Sequence, residues 1–211
     1  MNILHISCSP RGPASESRRL ARQIIEHLRR ADPTAVLVER VLDPTVVPHV
    51  DGDYATALGT SQATADEARG TGSMATSEVL IRELERADVL VIGTPMHNFT
   101  VPSALKAWID HIVRVRRTFD MGREGKVGAL RDRPVFVAVS SGGAYAGDRA
   151  RQPDFLTPYL QAVLAVIGLR DVRFFSVEGT GAGADALVRA RSRSEQALQA
   201  HFAAAHPRAL A

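Results

Sequence analysis

Five short, β-rich apolar runs recur along this chain, separated by segments whose apolar residues return at helical spacing. The first run covers residues 2–7. After Ser17, the side chains of Leu20, Ile24, Ile25 and Leu28 share one helical face. The pattern repeats as a strand over 35–41, a helix over 77–86 and a strand over 89–93, and then a helix carries Leu105, Trp108, Ile109 and Ile112. A strand over 134–140, a helix over 157–167, a fifth strand over 172–177 and a closing helix from 185 to about 205 complete it. Strict alternation of this kind predicts a parallel sheet in an α/β protein. Right-handed crossovers then put helices on both faces, giving a doubly wound fold. In such folds ligands bind beyond the carboxyl ends of the strands, so function is expected in the loops that follow them.

With 211 residues, 45% hydrophobic and 23% charged, the chain fits a single globular domain over 1–211. From 42 to 76 the periodicity fails, and Pro44, Pro48, Gly52, Gly59, Gly70 and Gly72 punctuate a polar stretch. This irregular insertion reads either as a surface loop or as a lid or dimer-packing arm. No apolar run approaches the roughly 20 residues that cross a bilayer, and the start lacks a leader pattern, so a soluble, cytoplasmic protein is expected. The lone cysteine, Cys8, forms no internal disulfide or thiolate metal site by itself. A net charge of +3 with dispersed arginines argues against nucleic acid as partner. The histidines lack the close spacing of a metal motif.

Three loops stand where the fold places function. The first, residues 7–17, sets Ser9, Ser15 and Ser17 between a strand end and a helix start, where backbone N–H groups and hydroxyls suit a phosphate. Neither G-x-G-x-x-G nor G-x-x-x-x-G-K-[ST] is present, so one terminal phosphate fits better than a pyrophosphate or triphosphate. Equally, Ser15 or Ser17 can serve only as a helix cap. Glu16 sits awkwardly beside a phosphate unless it turns to solvent. The second loop, 93–102, mixes Met96 and Phe99 with His97 and Asn98, apolar surface and polar edge together, as a flat heteroaromatic ring requires. In the third, Ser140 and Ser141 precede Gly142 and Gly143, two glycines that let backbone approach a planar ligand, or simply make a turn. Arg114, Arg116 and Arg117 read as a solvated edge or as contacts to a nicotinamide cofactor's phosphates. No nucleophile with a base in convincing context supports hydrolase chemistry.

On these residues the chain resembles the FMN-dependent NADH-azoreductase family, also described as FMN-dependent NADH:quinone oxidoreductases. The resemblance runs over nearly the whole chain. It is carried by Ser9 with Ser15-Glu16-Ser17, by Thr94-Pro95-Met96-His97-Asn98-Phe99 followed by Leu105-Lys106-Ala107-Trp108-Ile109-Asp110, by Ser140-Ser141-Gly142-Gly143, and by Thr157-Pro158-Tyr159-Leu160 before Ile167-Gly168. It implies a flavodoxin-like fold with strand order 2-1-3-4-5. It also implies FMN as bound cofactor: Ser9 and 15–17 at the phosphate, Met96, His97, Asn98 and Phe99 along the isoalloxazine, and 140–143 at its pyrimidine side. Further implications are a homodimer, NADH or NADPH as donor, and a quinone or aromatic azo acceptor reduced in ping-pong fashion. His97, Asn98 and Tyr145 are the candidates for ring or acceptor contact. Glu16, His97 and Ser141 stand where the family commonly has Gln, Tyr and Arg; Met121 and Val166 replace aromatics. The open alternatives are an electron carrier on the same fold, an NAD(P)H dehydrogenase with another acceptor, and a flavin-free module.

Overall fold

The computed structural model describes residues 1–43, 45–59 and 71–205. In chain order its main elements begin with β1 (Asn2–Ser7), α1 (Glu16–Ala31), β2 (Val36–Val41), α2 (Gly52–Gly59), α3 (Gly72–Arg86), β3 (Val89–Pro95) and α4 (Ser103–Ile112). They continue with β4 (Phe119–Gly122), β5 (Gly125–Gly128), β6 (Val135–Ser141), α5 (Leu156–Val166), β7 (Val172–Glu178) and α6 (Ala184–Ala205). Five strands form one parallel sheet in the order β2-β1-β3-β6-β7, which is the expected 2-1-3-4-5 pattern with β6 and β7 as its fourth and fifth strands. The antiparallel β4–β5 ribbon stands apart from that sheet and was not anticipated from sequence.

Alternate residues along each strand enter two separate cores. Ile3, Val89, Val91, Phe136 and Ala138 pack with Leu20, Ile24 and Ile25 of α1 and with Leu198 and Phe202 of α6. Their neighbours Leu4, Ile6, Leu90, Ile92, Val135 and Val137 pack with Leu80 and Leu84 of α3, Trp108 of α4 and Leu160 of α5. The central strand β3 is buried on both faces, which explains its unbroken apolar run. Each such aliphatic side chain contributes about 1.5–3 kcal/mol through burial. Among the described residues no helix is long and apolar enough to cross a membrane.

Two local features aim α1 at the carboxyl edge of the sheet. Ser15 caps the helix, its hydroxyl accepting from the Arg18 N–H at 3.4 Å. Gly93 supplies the space: a Cβ there would lie 3.3 Å from both Ala21 Cβ and the Ser17 carbonyl oxygen. The first turn of α1 therefore settles directly against β3.

The 42–76 segment is more ordered than its composition suggests, although residues 44 and 60–70 fall outside the described residues. Leu42 and Val47 are buried in the main core. α2 buries Tyr54 and Ala57, and α3 begins at Gly72 rather than Ser77. One carboxylate organises both helix starts: Asp51 accepts from the Tyr54 N–H at 2.8 Å and from the Ser73 hydroxyl at 2.7 Å. Those hydrogen bonds hold its carboxyl below the usual range, the Ser73 hydroxyl contributing most.

The basic run after α4 is also structural. Arg114 is 2% exposed and donates to Glu78 Oε2 at 2.5 Å and to the Ser77 hydroxyl at 2.9 Å. Arg117 bridges Glu78 and Glu85, and Arg116 donates to the Leu58 carbonyl at 3.2 Å. Arg114 is thus no solvated edge; its charge is committed to joining α3 with the end of α4.

Candidate active site

Loops following β1, β3, β6 and β7 converge on a cleft of about 380 Å³ at the carboxyl edge of the sheet, lined by Ser9–Glu16 loop residues, Pro95, Met96, His97, Ser140, Gly142, Thr180 and Gly181. From the first loop come Ser9, Pro10, Arg11, Ser15 and Glu16. A helix start faces this cleft, so unpaired N–H groups of α1 and the positive end of its dipole favour an anion there. Ser15 is at once a cap and a lining residue; its hydroxyl also bonds the Ser17 hydroxyl at 2.9 Å. Ser17 is fully buried behind the loop and does not line the cleft.

Glu16 does not turn to solvent. Its carboxylate is gripped by Arg191 of α6, with Nε to Oε2 at 2.9 Å, and by Arg19 Nε at 3.1 Å. The Arg191 contact, ahead of Arg19 and against the opposing effect of burial, holds the Glu16 carboxyl below its ordinary range. The negative charge at the cleft is therefore neutralised from the side of α6, which removes the conflict that sequence alone raises for an anion at this helix start.

The second loop turns tightly. His97 and Thr100 exchange backbone hydrogen bonds of 2.9 Å each, while Asn98 and Phe99 adopt φ of 48° and 70°. Two successive positive φ angles define a type I′ turn. Asn accepts that region, but Phe99 pays about 1–2 kcal/mol for it. The turn is pinned from outside by the Phe155 N–H, which donates to the Phe99 carbonyl at 3.0 Å. Met96 and His97 line the cleft, whereas Asn98 and Phe99 lie in the turn beside it.

The third loop separates its four residues. Ser140 and Gly142 line the cleft, and a Cβ built on Gly142 meets nothing within 4 Å. Ser141 is 3% exposed and faces Gln152, and a Cβ on Gly143 would collide with the Gln152 side-chain amide. The missing side chain of Gly143 therefore leaves room for the Gln152 amide. Tyr145 lies outside the cleft lining and packs on the core; burial pushes its phenol pKa up. Cys8 is buried with its thiol pushed up to about 12 by desolvation, which makes it inert as a nucleophile.

A cleft at the switch point of a doubly wound sheet, with a helix start at one end and a glycine open to it, matches the chemical shape of a mononucleotide carrying a flat ring. The family described as having a flavodoxin-like fold matches residues 1–202. An FMN-dependent NADH:quinone oxidoreductase of Pseudomonas fluorescens is 50% identical over 204 residues, covering 95% of this chain and 96% of its own. The chain belongs to this family. Another member, from Burkholderia lata, is 51% identical over 178 residues, or 84% of this chain and 85% of its own. Among solved structures, an azoreductase from Bacillus anthracis superposes with a TM-score of 0.80 at 20% identity, covering 96% of this chain and 98% of that one. An FMN-dependent NADH-azoreductase from the same organism, solved in complex with FMN, gives 0.74 at 23% identity over 95% of this chain and 99% of its own. At these identities the structural likeness is one of fold.

Within this oxidoreductase family member, sequence reasoning missed Pro10, Arg11, Pro95, Thr180 and Gly181 as lining residues. A signal for the last two was present in Gly179-Thr180-Gly181-Ala182-Gly183, a glycine-rich stretch directly after the fifth strand. Backbone hydrogen bonds from Thr180 to the Ser141 carbonyl (3.0 Å) and from Gly181 to the Gly142 carbonyl (3.2 Å) lock that stretch against the third loop.

Proposed function

We propose that this protein binds FMN in the cleft and uses it to carry two electrons from NADH to a quinone or an aromatic azo compound. The observation that carries the reading is the convergence, in one cleft, of the α1 start with Ser9 and Arg11, the Met96–His97 surface and the Gly142 backbone. The donor set fits the cofactor. Ser9, Arg11 and the first N–H groups of α1 would hold its phosphate. Met96 and His97 would face its ring, and Gly142 leaves room for the ring to approach backbone. Bound FMN supplies hydride acceptance and two-electron transfer, chemistry that needs no side-chain nucleophile.

The chain's own residues have three tasks. The α1 start with Arg11 fixes one end of the cofactor, the buried Met96 and the Gly142 backbone fix the plane of the other, and the exposed His97 stands at the cleft edge where an acceptor would enter. Because one cleft would serve donor and acceptor in turn, we assign ping-pong kinetics. We also assign a homodimer, supported by the exposed Phe99 and Phe155 side chains beside the cleft, and a cytoplasmic location, which the single unpaired cysteine suits. Sedimentation at twice the mass of one chain tests the dimer; a monomer at micromolar concentration contradicts it.

The cofactor assignment is tested by equilibrium binding of FMN and riboflavin to flavin-free protein. FMN is expected to bind at least about tenfold tighter, because only FMN engages the α1 start. Equal affinity for the two flavins would contradict the phosphate assignment. Arg191→Ala should uncover the Glu16 charge and weaken FMN by about threefold at low salt, with little effect at high salt. Riboflavin binding should stay unchanged, and a loss shared by both flavins would place the effect elsewhere.

A further inference from the structure

Gln152 lies outside the cleft lining, in the stretch between the short helical turn Gly147–Arg149 and α5, yet its amide nitrogen reaches Met96, a residue of the cleft. Its Nε2 donates to the Ser141 hydroxyl at 3.0 Å and contacts Met96 Sδ at 3.1 Å. Ser141 Oγ in turn lies 3.9 Å from the same sulfur. The amide oxygen lies against Gly143, which has no side chain to displace it. A few residues on, the Phe155 N–H holds the Phe99 carbonyl. One segment, 152–155, therefore braces the loops after β3 and β6 together. Asp154 anchors that segment by capping α5, its Oδ1 accepting from Leu156 N–H at 3.0 Å and Thr157 N–H at 2.9 Å.

We propose that Gln152 is the positioning residue for the ring end of the cleft: through Ser141 and Met96 it sets the height of the Met96 side chain relative to the Gly142 backbone, and so the flatness of the surface that receives the flavin ring. The inference rests on the FMN reading above. Met96 is 9% exposed, and a thioether with three rotatable bonds holds no fixed shape unless its neighbours impose one. An amide donating to both Met96 and Ser141 imposes it. Displacement of such a supporting group by about 1 Å is enough to cost about tenfold or more at the site it supports.

The test compares wild type, Gln152→Leu and Ser141→Ala as flavin-free proteins. It reads three quantities: FMN affinity, riboflavin affinity, and the rate at which hydrogen peroxide converts Met96 to its sulfoxide, followed by peptide mass spectrometry. Gln152→Leu is expected to weaken FMN and riboflavin equally, by at least about tenfold, because the effect lies at the ring and not at the phosphate. Met96 should oxidise several-fold faster once its sulfur is unheld. Ser141→Ala, which removes only one arm of the bridge, should move both quantities the same way by about threefold. Affinity and oxidation within twofold of wild type in both variants overturn the proposal, as does lost flavin affinity with an unchanged Met96 oxidation rate. Wild-type protein that takes up neither flavin overturns the FMN reading itself, and this inference with it.

Discussion

Gly142→Val is expected to fold with an unchanged melting temperature and to bind FMN about 100-fold more weakly, the cost of forcing an isopropyl group into a close contact being about 1–3 kcal/mol. A Cβ at Gly142 enters open space, and its φ lies outside the left-handed region, so nothing in the fold resists the substitution. That open space is the cleft. Gly143→Val should behave differently, although both glycines look alike in sequence. Its side chain would push the Gln152 amide away from Ser141 and Met96, costing about 1–2 kcal/mol of stability through lost hydrogen bonds, with a melting temperature lower by several degrees. Quenching of free-flavin fluorescence and thermal melts of flavin-free protein separate the two. Wild-type FMN affinity in Gly142→Val would contradict the close approach of the ring to this backbone.

The second large effect is expected far from the cleft. Glu78→Ala strands the buried Arg114 guanidinium without its carboxylate, a change that costs about 3–5 kcal/mol and lowers the melting temperature by about 10 °C. Replacing the pair together, as Glu78→Leu with Arg114→Met, should recover most of that loss, because the desolvation of both charges disappears with them. The same site predicts a pH dependence. Burial pushes the Glu78 carboxyl up, but Arg117 and Arg114 outweigh it and bring the pKa to about 2. A carboxyl depressed in the folded state stabilises fully above its ordinary value and loses that contribution as pH falls through the folded value. Wild type should therefore lose about 2–3 kcal/mol between roughly pH 4.5 and 2 on this account, and Glu78→Ala should lack that part of the acid slope. Parallel acid slopes in the two proteins would show that Glu78 is not depressed by its arginines.

The sheet was legible because burial imposes a pattern. β3 is apolar from Val89 to Ile92 since both faces are covered, and α1 shows a clean stripe since only one of its faces meets the sheet. α2 was not legible because Tyr54, Ala57 and Leu58 share one face over little more than a single turn, too short a stripe to stand out in a polar stretch, and the α3 start was placed late because Ser73 is held by Asp51, 22 residues away. The β4–β5 ribbon was missed for the opposite reason, since its strands are only four residues each and mostly exposed. At the cleft, sequence located the loops but not the facing of their residues. Ser140 and Ser141 are chemically equal, but the pleat of β6 sends their side chains to opposite sides, and of the pair Gly142 and Gly143 it is the second that lies against Gln152, a contact no local window shows. Arg114 was misread because a guanidinium in a basic run looks solvated until its carboxylate, from a helix 36 residues earlier in the chain, is placed beside it.

The most direct test of the whole account is the visible absorption of FMN-loaded protein titrated with NADH without oxygen, followed by addition of a quinone. About one equivalent of NADH is expected to bleach the flavin band, and the quinone to restore it. FMN that binds in the cleft yet keeps its colour in excess NADH would contradict the oxidoreductase assignment and leave the protein as a carrier or flavin-binding module on the same fold.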